Sequence, residues 1–95
     1  MKKTNRYQNV KEFGASLGLS ELDMELIRQK KIFIEKLKAT RLKKQISQAK
    51  LAELVGSQQP AIARMESGLV SQVSLDFLAK VALALNTSLT IKQAG

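Results

Sequence analysis

The sequence predicts an all-α protein: a compact bundle of about five short helices that ends in a short β-strand. Three observations predict it. The chain has 95 residues, 44% of them hydrophobic, which suits one small core and argues against a disordered segment. No Gly or Pro falls between Leu19 and Val55, so the main helix breakers are missing from that stretch. Apolar residues recur at spacings of three and four up to Leu85, and only beyond it does an alternation of period two appear.

Residues 1–19 are weakly patterned. Gly14 and Gly18 discourage a long helix there, although Val10, Phe13 and Leu17 would form one short apolar face. Ser20 is a good N-cap, with Glu21 and Asp23 placed to suit the helix dipole. Helical pattern then runs to about Lys44. A polar break at Arg28–Lys31 leaves two readings open, a helix near 20–28 and another near 30–44, or one continuous helix. Ile34, Leu37 and Arg41 share one stripe, so Arg41 points toward the side that is buried and needs an acid there.

Ser47 is the next N-cap. Leu51, Leu54 and Val55 supply an apolar stripe, and Gly56 ends the helix. A further helix covers Gln58 to Glu66, where Pro60 is tolerated in the first turn because its missing N–H has no intrahelical partner. Ser67-Gly68 closes it, and Leu69 to Val73 is a loop. Ser74 caps the last helix, with Leu75, Leu78 and Ala82 on one line, Phe77, Val81 and Leu85 beside it, and Asn86 as an αL stop. The alternating stretch Ser88 to Lys92 reads either as a frayed tail or as a strand that pairs with its own copy. The second reading is preferred, because a lone strand is unstable in water.

Charge narrows the function. There are 16 Lys+Arg against 8 Asp+Glu, a formal net charge of +8, which favours a polyanion or an anionic membrane as partner. Nine of the bases fall between Arg28 and Lys50 (Arg28, Lys30, Lys31, Lys36, Lys38, Arg41, Lys43, Lys44 and Lys50), with Glu35 the one acid among them. From Glu12 to Glu25 the balance reverses, with Glu12, Glu21, Asp23 and Glu25 and no base. By itself the basic block also fits a solvated helix face. Cys and His are absent, which removes disulfides, thiolate metal sites and the usual imidazole base. No base-oriented nucleophile or metal cluster is visible, so no enzyme, cofactor or metal is expected. No apolar run approaches ~18 residues, and the polar start of the chain lacks the apolar middle of a signal peptide. A soluble cytoplasmic module is expected.

Between Gln48 and Glu66, two short amphipathic helices meet through one glycine. Ala52 is small where they cross, Gly56 allows φ > 0 at the turn, and Ile62 anchors the second helix, with Leu51, Val55 and Met65 completing the contact. These residues resemble the helix-turn-helix of the Xre, phage-repressor-like (lambda-repressor-like) family. The specific part lies over 46–68 and a weaker likeness covers 37–89. Ser57 departs from the family's usual apolar residue, and Pro60 departs from the generic pattern. The resemblance implies that Arg41 pairs with Glu66. Its domain plan is an N-terminal arm and accessory helix over 1–29, then a DNA-binding domain over 30–95 with its core at 47–67 and a strand at 88–93. A narrower likeness, carried by residues 57–68 and 85–91, is to HigA-type antitoxins, which repress their own operon and neutralise a RelE/HigB-like, mRNA-cleaving toxin. That likeness implies a bacterial, nucleoid-associated repressor.

A recognition helix enters the major groove by its N-terminal residues, so Gln58, Gln59, Pro60, Ala61 and Arg64 are the candidate base readers. Gln59 and Arg64 are the foremost, suited to adenine and guanine. Ser47, Gln48, Lys50, Lys43 and Lys44 are candidates for backbone phosphates; for the lysines, general solubility is the competing reading. Binding as a homodimer to a pseudo-palindromic operator is expected, with the helix 74–85 and the strand as dimer parts. A basic toxin would be met by Leu19, Leu22, Asp23 and Leu26, with Ile27 beside them. Alternatively, Leu22 and Leu26 pack on the protein's own core, and the chain is a stand-alone phage or mobile-element regulator.

Overall fold

A computed structural model of the chain describes residues 20–68, 70 and 73–91. The expected apolar face of Val10, Phe13 and Leu17, the Leu19 contact and the end of the 88–93 strand lie outside the described residues. The chain divides into two compact units, Met1–Gln29 with Ile91–Gly95, and Lys30–Thr90. Four helices occur among the described residues: α1 Glu21–Lys43, α2 Gln48–Val55, α3 Gln59–Glu66 and α4 Leu75–Ala84.

α1 is one helix of 23 residues, so the expected count of about five becomes four among the described residues. The polar run at Arg28–Lys31 does not break it: Arg, Gln and Lys are good helix formers, and Glu25 ties the first two of them from one turn back. The Glu25 carboxylate accepts from Arg28 Nε at 3.1 Å and Nη2 at 2.6 Å, and from Gln29 Nε2 at 2.9 Å. Ser20 Oγ caps the helix by accepting from the Asp23 N–H.

Three helix ends share one device. At each, a residue with φ > 0 lets its own N–H and that of the next residue return to the carbonyls of the last turn. After α2 it is Gly56 (φ 70°), with Ser57 N–H on Ala52 O and Gly56 N–H on Glu53 O. After α4 it is Asn86 (φ 55°), with Thr87 N–H on Ala82 O. After α1 it is Gln45 (φ 58°), with Ile46 N–H on Arg41 O. Ser47 Oγ then accepts from Lys50 N–H to start α2, and Ser74 Oγ accepts from Phe77 N–H to start α4.

The core of the Lys30–Thr90 unit is continuous. Phe33, Ile34 and Leu37 come from α1, Leu51, Ala52 and Val55 from α2, and Ile62 and Met65 from α3. Val70, Val73, Leu78, Val81, Ala82 and Leu85 complete it. α2 packs against both α3 and α4. Two expected stripe members stay exposed, Leu54 and Leu75. The face that buries Leu51, Ala52 and Val55 is centred about 100° around α2 from Leu54, so the apolar stripe is narrower than the sequence suggests.

No strand forms among the described residues, and residues 88–91 are irregular. Among the described residues the predicted strand has no partner whose edge would satisfy its backbone. Instead the ammonium of Lys36 donates to the carbonyl of Ser88, which ties the segment to α1.

Candidate nucleic-acid interface

The site is built outward from a buried charge. Arg41 lies one turn after Leu37 on the buried stripe of α1, and its guanidinium reaches the C-terminal end of α3. Nε donates to Glu66 Oε2 at 2.6 Å and Nη2 to Oε1 at 3.0 Å, while Nη1 donates to the carbonyl of Ile46 at 2.7 Å. The two side chains are 9% and 3% exposed, so the forked pair is dry. Burial opposes ionisation of Glu66. Hydrogen bonds from Arg41 and Gln48, with the charges of Arg41 and Lys38, outweigh it and hold the carboxyl below its ordinary value.

Gln48 extends this pair to the surface. Its Nε2 donates to Glu66 Oε1 at 2.9 Å, and its Oε1 accepts from Gln59 Nε2 at 2.6 Å. A single chain of polar contacts therefore runs Arg41, Glu66, Gln48, Gln59, from the core to the first residue of α3. Sequence reasoning assigned Gln48 only to phosphate and missed this link. A signal for it exists: Gln48, Leu51, Ala52 and Val55 follow the 3–4 spacing, so Gln48 starts the buried stripe of α2.

Gln58, Gln59, Pro60 and Arg64 are exposed, and Ala61 is half-buried. Gln58 is the N-cap of α3 in extended conformation and makes no side-chain capping bond, which leaves its amide free of that role. Arg64 pairs with no acid among the described residues. The N-terminal half of α3 stands between two shallow depressions. One is lined by Lys50, Glu53, Gln58 and Gln59, the other by Ala61, Arg64, Ser74 and Phe77.

The phosphate candidates have varied partners. Ser47 spends its oxygen on the α2 cap but keeps its hydroxyl proton for donation. Lys50 is exposed and donates to Glu53 Oε1 at 3.2 Å, a surface pair of about 0–1 kcal/mol that a phosphate can displace. Lys43 and Lys44 are exposed at the end of α1. Of the candidate toxin contacts, Leu22 is 79% and Leu26 38% exposed, Asp23 is exposed and Ile27 is half-buried. Leu22 thus stands largely in solvent, while Leu26 is more than half covered.

Among the described residues, no helix is long and apolar enough to cross a membrane, and no group of acids is placed to hold a metal ion. No curated protein and no solved structure matches the chain significantly. A family model described as helix-turn-helix matches residues 37–92, more than half the chain, and spans Arg41, the α2–α3 pair and α4. The chain therefore belongs to the Xre, lambda-repressor-like helix-turn-helix family of DNA-binding regulators.

Proposed function

We propose that the chain is a sequence-specific operator-binding repressor that reads bases with Gln59, at the start of α3, and Arg64, in its last turn. The observation that carries this reading is the orientation of Gln59. One of its amide N–H groups is spent on Gln48, and its carbonyl and second N–H remain for a base edge. That pair matches N6–H and N7 of adenine. Exposed Arg64, further along α3, carries a fork that matches guanine. Eight residues of α3 span about 12 Å, which a major groove accepts. Gln58 and Pro60 would meet neighbouring base edges or a thymine methyl, with Ala61 beside them. Gln48, Ser47, Lys50, Lys43 and Lys44 would hold the backbone.

One helix reads few base pairs, so the protein acts as a two-fold homodimer on a pseudo-palindrome. α4 supports this: Leu75, Ala79 and Leu83 form an exposed apolar row at intervals of four. A narrower reading is a HigA-type antitoxin that also masks a basic RelE/HigB-like toxin in the bacterial cytoplasm. Leu22 and Leu26, exposed beside Glu21 and Asp23, support it.

Footprinting with randomised duplexes tests the first reading. A protected two-fold site is expected, and it is lost with Gln59→Ala and Arg64→Ala together. Uniform binding to all sequences with a steep salt slope would replace it with purely phosphate-based attraction. Co-purification with the product of a neighbouring reading frame that encodes a basic protein of about 100 residues tests the second.

A further inference from the structure

Resting on the reading of Gln59 as a base contact, the geometry points to Glu66 as a specificity-determining positioning residue. Through Gln48, its carboxylate fixes which way round the Gln59 amide faces the groove, and so which strand of the contacted base pair carries adenine.

A carboxylate can only accept hydrogen bonds. Glu66 is buried, ionised and already forked to Arg41, so the end of Gln48 that faces it must be the NH2. The opposite orientation would set the Gln48 carbonyl against a carboxylate in a dry site. With Nε2 committed to Glu66, the carbonyl of Gln48 is left to face Gln59, and a carbonyl also only accepts. Gln59 must then turn its NH2 toward Gln48 and its own carbonyl away. One acceptor-only group in the core thus imposes a polarity on two amides in series before any phosphate meets Gln48.

That polarity has a meaning in the groove. An adenine edge presents N7, an acceptor, and N6–H, a donor, and exchanging A·T for T·A reverses their order. An amide whose N–H lies on the Gln48 side and whose oxygen lies on the far side matches one order. The reversed pair places acceptor against acceptor and donor against donor. Gln59 alone would read adenine on either strand; Gln59 held by Gln48 and Glu66 reads it on one.

The test is a competition between operator duplexes that differ only by exchange of A·T and T·A at the position, in both half-sites, where Gln59→Ala abolishes base preference. The wild type is expected to favour one orientation by about tenfold or more. Gln48→Ala removes the relay on a half-buried surface position. The double variant Arg41→Met with Glu66→Gln keeps a partner for Gln48 of either polarity without a lone buried charge. In both, the ratio should fall to within about twofold of unity, while discrimination at the Arg64 position persists. A ratio unchanged from wild type in either folded variant, with Gln59→Ala still abolishing the preference, overturns the role of Glu66 and leaves Gln59 as the reader. An unchanged profile in Gln59→Ala, or no base preference in the wild type, overturns both. If the double variant fails to fold, Glu66→Gln alone decides, since it removes the charge but keeps an acceptor for Arg41: a ratio unchanged from wild type overturns the role of the carboxylate, and a fall toward unity supports it.

Discussion

At the scale of single residues, the Arg41–Glu66 pair is where most stability is at stake. Removing one partner strands the other in a dry site, and such losses typically cost ~3–5 kcal/mol. Glu66→Ala should show that loss in a denaturant melt, and a value within about 0.5 kcal/mol of wild type would refute the burial argument. The pH dependence has a definite sign. The Glu66 carboxyl titrates below its ordinary value of 4.5 in the fold. Its contribution is therefore fully present above that value and is lost as the pH falls through the lowered one. Melts between pH 7 and pH 2 should show acid destabilisation in the wild type that is smaller in Glu66→Gln. Arg41 facing inward was legible because it continues the spacing of Ile34 and Leu37. The Gln48–Gln59 contact was not, because it joins two helices eleven positions apart and periodicity only orders residues within one helix.

At the scale of elements, the helix ends make separable predictions. Gly56 and Gln45 occupy the same left-handed conformation, but only one of them is glycine. A Cβ added at Gly56 would meet nothing within 4 Å, so the cost of Gly56→Ala is conformational alone, about 1 kcal/mol. Gln45→Gly should stabilise by a similar amount, about 1 kcal/mol, since a non-glycine residue is strained there and its side chain is exposed. Thermal melts of the two variants should move in opposite directions. The caps Ser20, Ser47 and Ser74 and the stops Gly56 and Asn86 were all readable, because their chemistry is local. Gln45 was not: glutamine is no stop signal, and the αL turn there is imposed by Arg41, whose carbonyl and guanidinium both hold Ile46. The continuity of α1 had likewise to be seen, since a polar run interrupts the apolar pattern without interrupting the backbone, and Glu25 ties its first two residues to the preceding turn.

At the scale of the whole molecule, the excess of positive charge should make DNA binding fall steeply with salt, while base preference should persist as affinity declines. Among the described residues the irregular segment 88–91 has no strand partner, and the α4 row Leu75, Ala79, Leu83 is exposed. Deleting residues 87–95 should weaken self-association and operator affinity together, read by sedimentation and by titration with DNA. Unchanged values in both would count against a dimer contact in this segment. A helix-turn-helix core was legible from Ala52, Gly56 and Ile62, because crossing, turn and anchor each demand a particular residue type. Which surfaces meet another molecule was not, because exposure depends on what the chain leaves uncovered.

The most direct measurement is the affinity of the wild type and Arg64→Ala for a panel of operator variants, each titrated over a range of salt. A base reader predicts loss of about 1–3 kcal/mol of discrimination at one position per half-site, with a nearly unchanged salt slope. A uniform loss across every sequence, accompanied by a shallower slope, would mean that Arg64 grips only phosphate and that α3 does not read bases through it.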